Sequence, residues 1–554
     1  RLQLGPGDCL ILLVSKEEGT LRWPGREPAW HAARRMPARL APSFLAFSRA
    51  LAGPVGITRA ASLAATLLIA TAAGWADDEP SSPTPPLQAA ARLHAANALI
   101  AVVEGELSAP GNVVIDYWPA AGGPALRSAA VTSRGTSFTA PLVRLRAATD
   151  YLYEVRAVGT DGRLSEPTPA AGFTTGELPE GLRGAVFDVW RGAPTLPVTF
   201  LEFRQSEFFG LAAFDGEGHV VWYFQAPEGE QPYVMARRPN GNIVYLAGFK
   251  GGTTAAGLVE IDPTGRELHR LADECSPFGP MHHEVQVLPD GRLLYLSRDV
   301  LWDGYGDPAV PQEGDTLGIW DAEAGTADIV WNIFDHLSPA DRVAPGSNRS
   351  LPGHPMWGGC ERDTRVQDWS HGNSAVMADD GSVLVSLGHL NQVISIAPDL
   401  ASVRWRLGGP GSDFTLEDPR DRFYAQHTAV PLDNGNVLLF DNGTGRPYDE
   451  GGQFSRAVEL DLDLERMTAR RVWEYWHRPP LYAACCSSVQ RLPGGNTLIL
   501  YGSSRAERCC RVFIIAEVTP DGQTAWEVGH RSPGKPNQYR VYAAESIMGE
   551  SRRR

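Results

Sequence analysis

Residues 368–388 read DWSHGNSAVMADDGSVLVSLG, and residues 426–443 read QHTAVPLDNGNVLLFDNG. Each stretch opens on polar residues around a histidine, runs into an apolar strand, reverses at Asp-Gly or Asn-Gly and returns as a second apolar strand. Those dipeptides supply the positive φ that a tight hairpin turn demands. The same x-Gly turn stands at Gly241, Gly291, Gly381, Gly435 and Gly495.

A second hairpin alternates with the first. An acidic or glycine turn precedes an aromatic strand in FDGEGHVVWYF (Trp222), WDAEAGTADIVWNI (Trp331), IAPDLASVRWRL (Trp405), LDLERMTARRVWEY (Trp473) and VTPDGQTAWEV (Trp526). In a sixth copy, IDPTGRELHRL, Leu268 takes the tryptophan place. These turns predict six four-stranded units. A single sheet of that size cannot bury both faces, so the units must stack radially. The expected fold is all-β, a six-bladed β-propeller over 185–550. Its first unit lacks an inner hairpin, and the late strand Gln538-Tyr-Arg-Val-Tyr-Ala543 is expected to complete it, which would also remove an exposed sheet edge.

Working outward, residues 93–176 carry short alternating strands (NVVIDYW, SFTAPLVRL, YLYEVRAVG) and predict a small β-sandwich before the propeller. The run Leu145-x-x-x-Thr149-x-Tyr151-x-Tyr153 resembles the penultimate strand of a fibronectin type III module, with a tyrosine-corner candidate. Residues 77–92 are a Pro/Ser-rich linker. Arg39, Arg49 and Arg59, the small and apolar run 60–73, and Gly74-Trp75-Ala76 read as a signal peptide over 36–76, with 1–35 an upstream extension. The protein is therefore expected to be exported, periplasmic or extracellular, and membrane-anchored if the signal is not cleaved. A run of about 14 residues is short for a membrane span.

The chain has 554 residues and a formal charge of −15, which gives no electrostatic case for nucleic acid or an anionic membrane as partner. Cys9 precedes the expected signal, and Cys275, Cys360, Cys485, Cys486, Cys509 and Cys510 follow it. Neither Cys-Cys pair has zinc-knuckle spacing, and a bridge between the 485/486 and 509/510 pairs is expected. Segments 299–318 and 338–367 are expected to be long loops, either lids over a binding mouth or disordered.

Counting eight residues back from the inner turn glycines gives Tyr233, His283, Asn373, His427 and Ser487. His371 lies two residues before Asn373, on the same face of an extended strand. In a propeller the first strand of each blade lines the channel, so one register places these side chains around one mouth. Three imidazoles at matching depth point to nucleophilic or acid–base chemistry.

Together, HHEV (282–285), DWxHxNS (368–374), Trp405-Arg-Leu-Gly-Gly409, QHTA (426–429) and LFDNG (439–443) resemble the arylsulfate sulfotransferases. The resemblance implies transfer of a sulfuryl group from an aryl sulfate ester to a phenol, without nucleotide, cofactor or metal. It implies His427 as a nucleophile that forms a sulfohistidine in a ping-pong cycle. It places His371, Asn373 and the His282–His283 pair in the channel, with register favouring His283. Tyr233 would stack on the aryl ring. One departure stands out: Gly388 in Ser386-Leu-Gly-His389 occupies the place where the family pattern has an arginine. Either Arg298 substitutes, or the substrate differs, or catalysis is weak. Two rival readings are a metal-dependent propeller hydrolase using Glu284 and Asn373, and a non-catalytic binding propeller.

Overall fold

The computed structural model describes residues 84–549, apart from 87, 184, 186, 206, 250–254, 273–280, 306–309, 342–366, 507–509 and 533–537. The expected signal peptide, the 1–35 extension, Cys275, Cys360 and Cys509 lie outside the described residues.

Among the described residues from Asp188 on there are six sheets with four antiparallel main strands, which follow in chain order in five of them. Their innermost strands are Val541–Ala544, Glu230–Arg237, His282–Val287, Gly372–Met377, His427–Pro431 and Ser488–Arg491. Successive innermost strands pack side by side. The ring closes because the C-terminal strand pairs with Val198–Gln205 of the first sheet, in the register Leu201↔Val541 and Phe200↔Tyr542. This is a β-propeller closed by the late strand, which covers the inner side of Val198–Gln205.

The alternation of inner and outer hairpins explains the stacking. Sheet faces interlock through apolar side chains, as where Leu384, Val393 and Leu407 of the fourth sheet meet Leu439, Val458 and Leu460 of the fifth. The recurring tryptophan also joins neighbours. Trp222 Nε1–H donates to Pro263 O at 2.7 Å, in the outer turn of the next sheet, and Trp526 Nε1–H donates to Gly216 O at 3.2 Å across the closure. A buried indole thus gains a polar partner as well as apolar area.

Ahead of the propeller, two smaller sheets share a core that includes Val103, Ile115, Leu142, Tyr153 and Val155. The Tyr151 hydroxyl accepts from Arg146 N at 3.0 Å, and Asn97 Nδ2 donates to Tyr223 O of the first propeller sheet at 2.6 Å.

Two expectations change. The first strand, Gln88–His94, begins inside the stretch read as linker. Segment 299–318 is not a loop: it belongs to a long hairpin of Leu293–Tyr305 and Val310–Asp321. Its buried polar residues pair across the strands, Arg298 opposite Asp315 and Ser297 opposite Thr316, so the polar sequence is compatible with a strand. The bridge expected between the 485/486 and 509/510 pairs falls on Cys509 and on the side chain of Cys510, which lie outside the described residues. Most of 338–367 lies outside the described residues.

Candidate active site

The inner strands do not open regularly. Register shifts fall at Pro232/Met235, His282/Val285, Gly372/Ser374 and His427/Val430, at the same end of four successive sheets. His283, His371, Thr428 and Ser487 have φ of 55°, 53°, 49° and 84°, a left-handed conformation that costs a non-glycine residue about 1–3 kcal/mol. Such bulges bend the strand end and re-aim side chains towards the axis. Close approach then makes two glycines necessary. A Cβ on Gly372 would lie 2.5 Å from Asp315 Oδ1, and one on Gly388 would lie 2.4 Å from Asn373 Nδ2.

These openings bring three of the expected histidines together. The His283 ring lies 5.0 Å from that of His371 and 5.1 Å from that of Tyr539, and Tyr539 lies 5.6 Å from His427. His282 sits behind His283. Its Nε2 faces Ser297 O at 3.1 Å and Asp315 Oδ1 at 3.2 Å, so the proton is on Nε2. Nδ1 of His282 then accepts from His283 Nδ1–H at 2.8 Å, which leaves the lone pair of His283 on Nε2.

His427 is held by a neutral amide. Asn442 Nδ2 donates to Ala483 O at 2.8 Å and to Cys486 O at 3.2 Å, which turns Asn442 Oδ1 towards His427 Nδ1 at 2.8 Å. His427 therefore carries its proton on Nδ1 and its lone pair on Nε2, where Cys486 N–H donates at 3.1 Å. Burial, with the charges of Arg540 and His371, pushes its pKa down to about 3. The ring is therefore neutral, with the Cys486 N–H on its Nε2 lone pair.

His371 is held by a carboxylate instead. Its Nδ1–H donates to Asp368 Oδ2 at 2.6 Å. Burial pulls its pKa down, but the charge and hydrogen bond of Asp368 outweigh this and the net shift is upward. Burial likewise opposes ionisation of Asp368, yet the imidazoles of His371 and His389 hold its carboxyl well below the usual range. His389 stacks on His371 at 4.3 Å and donates from Nδ1 to Asp368 O at 2.9 Å.

The other expected residues have different surroundings. Asn373 spends its amide on structure: Nδ2 donates to Gln426 O at 3.0 Å, and Oδ1 accepts from the Tyr539 hydroxyl at 3.2 Å. Arg298 pairs with Glu313 at 2.7 Å, both nearly dry, and its charge adds to burial in lowering the pKa of His282 and His283. Tyr233 packs beside the cluster that holds Cys486 and Tyr539, with the Arg204 guanidinium 5.4 Å from its ring. The Ser487 hydroxyl accepts from Gly502 N at 3.0 Å.

Sequence reasoning missed Asp368, His389, Asn442, Tyr539 and Arg540 as site residues. Buried Arg540 donates to Asn373 O at 2.6 Å and Ser487 O at 3.2 Å and pairs with Glu284 at 3.3 Å, tying three sheets at the axis. The carboxylate of Glu202, on the first sheet, accepts from the backbone N–H groups of Tyr539 and Arg540. The signal available for both was their place in the closing strand.

Glu284, expected as a metal ligand in one rival reading, is the partner of Arg540. Among the described residues, the donors that converge most like a metal set are Asp368, His371 and His389, within 4.8 Å of one another. The two rings are stacked at 17°, so their in-plane lone pairs run in separate, nearly parallel planes. One ion cannot lie in both without a ring rotation.

A family model described as Arylsulfotransferase (ASST) matches residues 197–540. The arylsulfate sulfotransferase AssT of Escherichia coli O6:H1 is 28% identical over 325 residues, 52% of this chain and 48% of that protein. The AssT of Lelliottia amnigena is 24% identical over 294 residues, 47% of this chain and 43% of that protein. The matched part spans less than half the length of these relatives. Among solved structures, a protein of unknown function from Bacteroides caccae is similar at 14% identity and a TM-score of 0.40, over 62% of this chain and 98% of that one. A streptogramin B lyase is similar at 9% identity and a TM-score of 0.31, over 69% and 89%.

Proposed function

The chain belongs to the arylsulfotransferase family, and on that premise we propose that it moves a sulfuryl group from an aryl sulfate ester to a phenol through a sulfohistidine on His427. The observation that carries this reading is the neutral His427, with its proton on Nδ1 towards Asn442, its Nε2 held by the Cys486 N–H until a sulfur displaces it, and its ring 5.6 Å from that of Tyr539. Neutral imidazole attacks sulfur, and covalent catalysis divides one hard displacement into two easier ones.

In the first half-reaction His427 Nε2 attacks the sulfur, the N–S bond forms and the S–O bond to the phenol breaks. His371 is the acid, because the charge and hydrogen bond of Asp368 raise its pKa, and it gives its proton to the leaving phenolate. In the second half-reaction the neutral His371 takes the proton of the acceptor phenol, whose oxygen attacks the sulfur and releases His427. The cationic groups near the histidines, Arg540 and Arg298, favour the negative charge of the sulfuryl oxygens. Arg298 thereby supplies part of what the residue at Gly388 does not.

The substrates in this reading are phenolic sulfates and phenols. We also read the chain as exported through its 36–76 segment, and the small preceding domain as a fibronectin type III-like spacer over 93–176. Among the described residues no helix is long and apolar enough to cross a membrane.

The test is turnover of p-nitrophenyl sulfate with phenol as acceptor. Nitrophenolate release that depends on the acceptor, and falls about 10³-fold or more in His427→Ala, is the expected result. No turnover, or turnover indifferent to that substitution, contradicts the reading.

A further inference from the structure

One carboxylate anchors two of the site's imidazoles. Asp315 lies on Val310–Asp321 of the third sheet, and its two oxygens serve different partners. Oδ2 accepts from Gly372 N–H at 2.8 Å and from the Ser370 hydroxyl, so it holds the residues on either side of His371. The same hydroxyl accepts from Asp315 N–H at 3.1 Å. This grip brackets the left-handed backbone of His371, whose φ is 53°. Oδ1 accepts from His282 Nε2–H at 3.2 Å, and His282 Nδ1 in turn accepts from His283 at 2.8 Å. Burial opposes ionisation of Asp315, but the hydrogen bonds from His282 and Ser370 hold its pKa below the ordinary value.

Burial keeps both histidines of this chain neutral, His282 with a pKa of about 4 and His283 well below the ordinary value. Each ring therefore carries one proton. With that of His282 drawn to Nε2, the contact between the rings is made only if His283 donates from Nδ1. The anionic end sets the direction of the whole chain. Nε2 of His283 is left as an acceptor, on a ring 5.0 Å from that of His371. An acceptor near an imidazole favours its protonated form, and a donor there opposes it. Burial lowers the pKa of His371 and Asp368 raises it; the charge of Asp315 acts in the same sense as Asp368. The other titratable or charged groups around His371 are His389, His283, Arg298, Glu313 and His427.

We propose that Asp315 is a positioning residue for sulfuryl transfer: it fixes His371 through Ser370 and Gly372, and through His282 it holds His283 with its proton on Nδ1 and its lone pair on Nε2. The effect on rate rests on the function proposed above; the tautomers do not. Asp315→Asn should reverse the chain while keeping its shape. Gly372 N–H is a fixed donor, so the amide must turn its oxygen to Gly372 and its Nδ2 to His282. His282 then accepts at Nε2 and carries its proton on Nδ1, and His283 accepts at Nδ1 and carries its own on Nε2. A donor replaces the acceptor near His371 and a negative charge is lost, and both changes make the acid give up its proton at lower pH.

The experiment labels the full chain with isotopic histidine and reads from proton–nitrogen NMR correlations which ring nitrogens of His282 and His283 are protonated. Signals are assigned from His282→Gln and His283→Gln. The same samples are assayed with p-nitrophenyl sulfate and phenol across pH. The wild type is expected to carry its protons on His282 Nε2 and His283 Nδ1. Asp315→Asn is expected to reverse both, to turn over at least about tenfold more slowly at pH 7, and to lose rate at lower pH on the alkaline side. A wild-type His283 protonated on Nε2 overturns the proposal. So does Asp315→Asn with unreversed tautomers, with unchanged turnover, or with slower turnover on an unmoved pH profile. If that variant does not fold, His282→Leu decides: it removes the acceptor of His283 Nδ1–H, so the proton is expected on Nε2, and a proton kept on Nδ1 overturns the proposal. If the wild type does not turn over at all, the sulfotransferase reading fails, and the tautomers still decide this one.

Discussion

His371 and His427 open neighbouring sheets from the same end of their inner strands, yet their surroundings shift their pKa values in opposite directions. The Nδ1 of His427 faces the amide oxygen of Asn442, and the Nδ1 of His371 faces the carboxylate of Asp368. The two partners differ by one formal charge. Burial works against protonation at both rings, but only His371 has a counter-charge to reverse it. An amide orients a buried imidazole and adds no counter-charge; a carboxylate orients it and raises its pKa. A ping-pong sulfuryl transfer needs one ring of each kind, a nucleophile and an acid.

Exchanging the partners should break this division. In Asn442→Asp a carboxylate would sit at the Nδ1 of His427 and raise its pKa from about 3. Turnover at pH 7 should fall about 10²–10³-fold in a p-nitrophenyl sulfate assay, with thermal stability changed far less. In Asp368→Asn the acid loses its counter-charge. The rate should fall about 10–100-fold, and the decline at high pH should move to lower pH, because the raised pKa of His371 sets where the acid is lost.

Gly388 tests the spacing between the two rings. Its N–H donates to His371 O at 2.9 Å, and an added Cβ would meet Asn373 Nδ2 at 2.4 Å. Gly388→Ala should destabilise the fold by about 1–3 kcal/mol in urea unfolding. The smallest effect is on stability against pH. The folded-state pKa of His427, about 3, lies below the ordinary 6.5, so its contribution is full above pH 6.5 and lost as pH falls towards 3. At pH 5.5 the loss is about 1 kcal/mol, and His427→Gln should remove that part of the pH dependence. His371 runs the other way, its contribution being full below pH 6.5 and lost as pH rises through its raised pKa.

The contrast also marks what could be read in the chain. Turn glycines and recurrent tryptophans made the propeller and its closing strand legible, because both signals are local and periodic. His283, His371 and His427 were legible as a set because each stands at a similar distance from its turn glycine. What separates their roles was not. Asn442 reaches His427 from the far end of a hairpin, and Tyr539 and Arg540 arrive from the C-terminus through ring closure. Neither distance is encoded in spacing. The bulges were hidden too, since their left-handed residues are His, Thr and Ser and not glycine. The polar run 299–318 looked like a loop because its charges find partners only across the hairpin.

The central claim is that His427, held neutral by burial and oriented by Asn442, takes the sulfuryl group. The direct measurement is to mix the protein with p-nitrophenyl sulfate without acceptor, quench in alkali, digest and locate the added group by mass spectrometry. The account predicts about one nitrophenolate released per chain in a burst, and a sulfuryl group on the peptide that contains His427. Acceptor-dependent turnover with the group on another residue, or with no covalent adduct and no burst, would contradict it.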